Sequence, residues 1–419
     1  MTMDLNEAAR KILRQNDKGG YTLPTKGLYP YQWNWDSAFA AWGFATFDPA
    51  RGWTELETLL SGQWDDGMVP HILFHQIDPG YFPGPDIWCG RGPIPSSGIS
   101  QPPVAASFMA KMLVLDPAGE PRARALWPKL QAWHRWFMTW RLDQGAVCVT
   151  HPWEAGRDNA PDWDGAMKAI NVDNVGEYTR RDTSHVDAAM RPTKYDYDRY
   201  LTLVKLGASV NWDHATLRKI NPFRVADPTM TFTLLRAQRD MLAIGQRFGE
   251  DVTELAEWIA ILEAGAETLW NPTIGGYDNR DVHAGTFNGV LSNASALCWY
   301  AGINNTRALP AVERMLSNVT YGMASYDPAA AGFEPLRYWR GPTWPIMNYL
   351  VATGMAEMGV TDLAERLRDD TARLMQENGF SEYYAPHTGA PAGGETFTWT
   401  AAVWLGWAGN HLETQRGAA

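Results

Sequence analysis

Asp251-Val-Thr-Glu-Leu-Ala-Glu-Trp-Ile-Ala-Ile-Leu-Glu-Ala-Gly-Ala-Glu-Thr-Leu-Trp270 places Val252, Leu255, Ile259, Leu262 and Leu269 on one stripe, opens with acids and runs into Asn271-Pro272. Apolar residues three or four apart are the signature of an amphipathic helix, and a proline, which has no N–H to donate, stops one. Asp362 to Asn378 repeats the pattern, with Glu365 three residues after a capping Asp362, Leu363, Leu367 and Leu374 apolar, and Gly379 as the stop. Weaker helical patterns cover 5–16, 36–46, 49–63, 102–115, 122–141, 196–206, 228–247, 288–301, 309–317, 343–358 and 399–411. Strand patterning is scarce, with Gly145-Ala-Val-Cys-Val-Thr150 the best candidate. No low-complexity linker and no fixed-period repeat divides the chain. Consecutive helices on short links pack as antiparallel hairpins, and six hairpins can close into a double ring. The expected fold is therefore all-α: an (α/α)6 barrel, one domain over residues 1–419, with long loops at one mouth. An open helical solenoid is the alternative, but it would not gather Trp-rich loops at one end.

Those loops carry the unusual residues. From Gly62 to Pro103 the chain contains Pro70, Pro79, Pro83, Pro85, Pro93, Pro95 and the Pro102-Pro103 pair, interleaved with Trp64, Phe74, Tyr81, Phe82 and Trp88. A long aromatic-rich loop inside a compact chain is usually a lid or the wall of a site. The loop regions 64–103 and 145–200 are expected to form lid and walls. The 21 Trp exceed ordinary usage, and many adjoin polar residues, as in Gln32-Trp33-Asn34-Trp35-Asp36 and Tyr338-Trp339-Arg340. Most such rings serve core packing, and the rest suit a ligand surface. A net charge of -11 argues against nucleic acid and anionic membranes as partners. Cys89, Cys148 and Cys298 are too widely spaced for a disulfide framework or zinc site. Met1 to Gly20 reads as a polar amphipathic helix without an apolar signal core, and no run approaches a membrane span, so a cytoplasmic location is expected. Self-association is left open.

The chemistry concentrates in His151-Pro-Trp-Glu-Ala-Gly-Arg-Asp-Asn-Ala-Pro-Asp-Trp-Asp164. Acids and amides this dense favour turns over regular structure. Carboxylates beside indole rings suit a sugar: its apolar face stacks on Trp, and its hydroxyls bond Asp, Asn and Arg. Glycosidic hydrolysis needs one carboxylic acid to protonate the leaving oxygen and a second carboxylate to activate water or attack the sugar. Asp158 is the acid candidate. The best second carboxylate is Glu382, in a loop after a Gly-terminated helix, where Tyr383 and Tyr384 are expected to orient it. Each acid alone reads equally well as a solvated or capping loop residue.

Other constellations are weaker. His71 and His75 have metal-pair spacing but follow Pro70 and lack a partner Glu, which favours a structural or substrate-polar role. Gly84, Gly90 and Gly92 precede no phosphate-loop Lys, Ser96-Ser97-Gly98 lacks a nucleophile elbow, and Asp196-Tyr-Asp-Arg199 lacks a calcium-loop pattern. Neither a metal nor a cofactor is expected.

Tyr29-Pro-Tyr-Gln-Trp-Asn-Trp-Asp36, Gly67-Met-Val-Pro-His71, Tyr81-Phe-Pro-Gly84, Gly98-Ile-Ser-Gln-Pro-Pro103, the Trp153 to Asp164 segment, Tyr338-Trp-Arg-Gly-Pro-Thr-Trp-Pro345, Glu382-Tyr-Tyr384 and Trp399-Thr-Ala-Ala402 span nearly the whole chain. Together they resemble glycoside hydrolase family 63, and within it the short bacterial mannosylglycerate and glucosylglycerate hydrolases. The resemblance implies an (α/α)6 barrel and hydrolysis of α-glycosides with inversion. It implies Asp158 as general acid and Glu382 as general base. Trp33, Trp35, Asp36, Gln101, Trp339 and Trp344 match positions lining the sugar pocket, with Tyr29 and Trp153 in the same set. Arg191 and Tyr197, with Tyr81, match those holding the glycerate carboxylate. Two departures stand out. Ala155 occupies a position where the family often has Ser, and the 390–398 stretch aligns poorly, leaving Glu395 as a rival base. The expected substrate is mannosylglycerate or glucosylglycerate. The alternatives are a neutral α-glycoside (glucosylglycerol, kojibiose or trehalose), an (α/α)6 sugar isomerase or epimerase working through His residues, and a non-catalytic sugar-binding protein.

Overall fold

The computed structural model describes residues 4–172 and 175–409. The segments 1–3 and 410–411, in the helices expected at the two ends, lie outside them. Helices dominate, with seventeen α-helices among the described residues. The longer ones are α1 (Leu5–Asn16), α2 (Asn34–Ala45), α3 (Pro49–Ser61), α4 (Ala105–Leu115), α5 (Glu120–Trp140), α6 (Lys194–Ser209), α7 (His214–Ile220), α8 (Pro228–Phe248), α9 (Thr253–Glu267), α10 (Leu309–Ser317), α11 (Pro345–Glu357), α12 (Thr361–Asn378) and α13 (Thr398–Val403).

Their burial sorts them into two kinds. Every residue of α2 and α13 is buried, and α11 is buried along nearly its whole length. Helices apolar on all sides belong inside a protein. By contrast α1, α3, α9 and α12 bury one stripe each; in α9 it contains Leu255, Trp258 and Leu262, while Ile261 faces solvent. The inner elements contact one another in sequence: α2 with α4, α4 with α8, α8 with the short helix Leu297–Tyr300, that helix with α11, α11 with α13, and α13 with α2. The outer helices back them, α3 on α2, α9 on α8, α12 on α11 and α1 on α13.

Several boundaries differ from the sequence reading. α9 ends at Glu267, because Trp270–Asn271 pairs antiparallel with Gly276–Tyr277. The capping box at Asp362 is absent; α12 starts one residue earlier behind Val360, and Asp362 sits in the first turn, where an acid complements the helix dipole. The helix expected over 288–301 shrinks to a 3-10 turn, Asn293–Ala296, and the four residues Leu297–Tyr300. The Asp278 carboxylate accepts the Gly289 and Val290 N–H groups at 2.8 and 3.3 Å, holding that backbone outside any helix.

Strands are short but more numerous than the one expected. The expected one, Ala146–Val149, joins a five-stranded antiparallel sheet with Leu142–Asp143, Val225–Ala226, Arg280–Asp281 and Thr286–Phe287. Val149 pairs with Val225, two residues before Asp227, the cap of α8. The acid-rich segment 151–164 therefore leaves the sheet beside the N-terminal end of an inner helix.

Candidate active site

The same end of the inner helices forms part of the wall of one cavity, and loops supply the rest. Trp35 and Asp36 lie in the first turn of α2, Gln101 shortly precedes α4, and Phe397 and Trp399 flank the start of α13. Helix N-termini present unpaired N–H groups and partial positive charge, a favourable setting for carboxylates and sugar hydroxyls. The 64–103 segment adds His71, Ile72, Tyr81, Phe82, Pro83 and Trp88, and the 145–200 region adds Trp153, Gly156, Asp158, Arg181, Asp182, Arg191, Pro192 and Tyr197. Glu382 comes from the loop after α12, which ends at the expected Gly379. The space amounts to about 860 Å³ counted out to its open mouth.

Eleven of the thirteen sequence candidates line it: Asp158, Glu382, Tyr29, Trp33, Trp35, Asp36, Tyr81, Gln101, Trp153, Arg191 and Tyr197. Trp339 and Trp344, expected on the sugar wall, are fully buried behind it. Their rings stack on each other with centroids 3.8 Å apart, and Trp339 lies 6.3 Å from Trp35 while Trp344 lies 5.9 Å from Trp399. They stiffen the wall rather than form its surface. Glu395, the rival base, is exposed and lies off the cavity.

Glu382 is completely buried. Its Oε1 accepts from Tyr29 Oη at 3.0 Å and Tyr338 Oη at 2.9 Å, and its Oε2 from the Gly394 N–H at 2.8 Å. The two tyrosines that follow it in sequence do not orient it through their hydroxyls. Tyr383 Oη points to the Met190 carbonyl and Tyr384 Oη to that of Gly379, because side chains one and two residues on from Glu382 leave the backbone in other directions. Sequence proximity missed Tyr338 here, although it stands inside the quoted Tyr338-to-Pro345 stretch.

The electrostatics separate the two acids. Burial pushes Asp158 up to about 7, with the Glu382 charge adding to the rise and Arg191 opposing it. Burial also raises Glu382, but Arg191, Gly394 and the two tyrosines pull it back. Asp36 is held well above the carboxylate range, chiefly by burial and then by the charge of Glu382. An acid kept protonated near neutrality beside one held by four donors or charges is the asymmetry that acid–base chemistry requires.

Arg191 is buried, donates from Nε to Asp182 Oδ2 at 2.9 Å and from Nη2 to Tyr29 Oη at 3.1 Å, and lies 4.0 Å from the Tyr338 ring centroid. Its Nη1 has no protein partner. The guanidinium thus braces the Tyr29–Glu382 contact and leaves one buried donor without a protein acceptor. The Tyr197 hydroxyl, expected as a second donor, is engaged by the Phe82 carbonyl at 3.1 Å. Asp182 and Arg181 carry no motif that sequence reading could use. His71 is the single histidine on the cavity among the described residues, with Nδ1 2.8 Å from Ser97 Oγ and its pKa held well below 6.5 by burial. His75 sits outside, 2.7 Å from Gln32, and no group of His, Cys, Asp and Glu suited to a metal occurs among the described residues.

Residues 29–400 match the family model of the mannosylglycerate hydrolase MGH1-like glycoside hydrolase domain. The mannosylglycerate hydrolase MGH2 of Selaginella moellendorffii is 45% identical over 413 residues, 96% of this chain and 85% of that protein. The glucosylglycerate hydrolase of Mycolicibacterium hassiacum is 34% identical over 432 residues, 96% of this chain and 97% of that protein. A crystal structure of the GH63 mannosylglycerate hydrolase of Thermus thermophilus, in complex with Tris and D-glycerate, superposes with a TM-score of 0.93 at 43% identity, covering 96% of this chain and 99% of the other. With a matched model over most of its length and relatives this similar, the chain is a glycoside hydrolase and belongs to the MGH1-like mannosylglycerate hydrolase group of family 63.

Proposed function

We propose that this protein is an inverting α-glycosidase that hydrolyses mannosylglycerate to mannose and glycerate, on an (α/α)6 barrel whose inner ring is the cycle of helix contacts from α2 round to α13. The observation that carries the reading is one cavity holding a high-pKa Asp158, a donor-fixed Glu382 and the unpartnered Nη1 of Arg191. Asp158 gives its proton to the glycosidic oxygen as the bond from C1 breaks. Glu382 takes a proton from a water whose oxygen attacks C1 from the opposite face. The sugar leaves as the β anomer, glycerate leaves as the alcohol, and solvent resets the two carboxyl groups.

Mannose is favoured over glucose because the relatives at 43–45% identity are mannosylglycerate hydrolases, against 34% for the glucosylglycerate enzyme. Arg191 favours an anionic aglycone, since a buried guanidinium donor suits a carboxylate. An isomerase would need a histidine pair at the sugar, and only His71 faces it among the described residues. The 64–103 segment is proposed as a lid closing against the 145–200 region. A cytoplasmic site of action fits three unpaired cysteines, and no described helix is long and apolar enough to cross a membrane.

Proton NMR of a fresh reaction tests the assignment. The first sugar signal to appear from mannosylglycerate is expected to be the β anomer. Initial α anomer would mean retention, and turnover of glucosylglycerol at the rate of the glycerate glycosides would remove the anionic aglycone from the reading.

A further inference from the structure

Tyr200 lies on α6, three residues after Tyr197, and is buried. Its hydroxyl donates to the main-chain carbonyl of Asp158 at 2.8 Å. The ring is packed against Trp153 and His151, with centroids 5.3 and 5.7 Å away. The preceding peptide is held as well, because Trp163 Nε1 donates to the Arg157 carbonyl at 2.8 Å. The Arg157 guanidinium points away from the cavity into a fully buried nest, meeting Asp162 at 2.9 and 3.2 Å, Thr229 at 2.9 Å and Ser292 at 3.2 Å. The carbonyls on both sides of the Asp158 Cα are thus tied to separate parts of the fold.

We infer that Tyr200 is a positioning residue for the general acid: by holding the Asp158 carbonyl, its hydroxyl sets where the Asp158 carboxyl meets the glycosidic oxygen. The inference rests on the reading of Asp158 given above. Proton transfer in the transition state needs hydrogen-bond distance, so a small displacement of the carboxyl slows the step while the sugar contacts persist. Phenylalanine at 200 keeps the packed ring and removes only the hydroxyl.

The test compares Tyr200→Phe, Asp158→Asn and the double variant on mannosylglycerate and on α-mannosyl fluoride, whose fluoride departs with little help from an acid. Tyr200→Phe is expected to lower kcat on mannosylglycerate about 10- to 100-fold, with KM within about threefold and fluoride turnover within about threefold. Added to Asp158→Asn, it is expected to cost nothing further, because the group it positions is gone. Equal losses on both substrates, an additive double variant or an unchanged kcat would each overturn the inference. If Tyr200→Phe does not fold, Trp163→Phe, which frees the carbonyl on the other side, must show the same split between substrates. Should Asp158→Asn itself fail to distinguish the substrates, the acid assignment falls. Should it distinguish them while Tyr200→Phe does not, only the positioning role falls.

Discussion

At the residue scale the two acids make separate, measurable claims. Glu382→Gln and Asp158→Asn are each expected to cut kcat on mannosylglycerate by about 10³-fold or more while the thermal transition remains cooperative. Glu395→Gln, exposed and off the cavity, is expected to keep near-normal activity; a dead Glu395→Gln beside an active Glu382→Gln would reverse the choice of base. The raised Asp158 pKa also has a sign in stability. Its folded value, about 7, lies above the unfolded one, so its favourable contribution is complete below the ordinary carboxyl range and is lost as pH rises through about 7. Asp158→Asn is therefore expected to be more stable than the parent by on the order of 4 kcal/mol at pH 8, with the gap closing towards pH 4. Chemical unfolding at the two pH values measures it, and a gap independent of pH would contradict the burial of an ionising Asp158. Activity should follow the same proton, with kcat/KM falling as pH rises through about 7.

At the scale of elements, the 64–103 and 145–200 regions meet across the mouth. Arg181 pairs with Asp78, the Phe82 and Tyr178 rings stack 5.3 Å apart, and Tyr197 bonds the Phe82 carbonyl. The proposed lid would open locally at its tip, residues 76–84, which these contacts hold, whereas Trp88 behind the tip is anchored on the Trp212 ring 5.6 Å away. Asp78→Ala is expected to speed amide hydrogen exchange in residues 76–84 at least severalfold, and bound D-glycerate with mannose to slow it in the parent. Identical exchange with and without ligand would leave the segment a fixed wall. The turn before the acid is less forgiving. Gly156 has φ +68°, and a Cβ there would stand 2.6 Å from the Trp35 ring, so Gly156→Ala is expected to destabilise by about 1–3 kcal/mol and lower kcat together. A urea titration beside the kinetics would reveal whether the two losses coincide.

At the scale of the whole molecule, the acid segment is joined to the inner helices by charge. Arg157 lies between Asp162 and Asp227, the latter capping α8, and all three side chains are fully buried. Removing one partner of such a cluster strands the others in a low dielectric. Arg157→Met is accordingly expected to cost about 3–5 kcal/mol in unfolding free energy, against well under 1 kcal/mol for an exposed pair such as Arg307–Glu267. If calorimetry finds the two losses alike, the cluster does not join the segment to the core.

What the sequence determined by itself was the periodic and the compositional. The apolar stripes of α9 and α12, the Gly379 stop, the Val149 strand and the acid-rich 151–164 segment are local patterns, and local hydrogen bonding and side-chain spacing suffice to specify them. Candidates for the cavity were legible because carboxylates, tryptophans and an arginine cluster in loops for few other reasons. Directions were not. Trp339 and Trp344 stack behind the wall, Tyr383 and Tyr384 turn away from Glu382, and its hydroxyl donors come from Tyr29 and Tyr338, both far from it along the chain. The helix over 288–301 gave way to Asp278, which captured its first amides. The partners of Glu382 and Tyr383 are remote in sequence, and only the packing of the helices brings them within hydrogen-bond distance; Tyr384, Trp339 and Asp278 meet partners five to twelve residues away, in directions that only the folded backbone fixes.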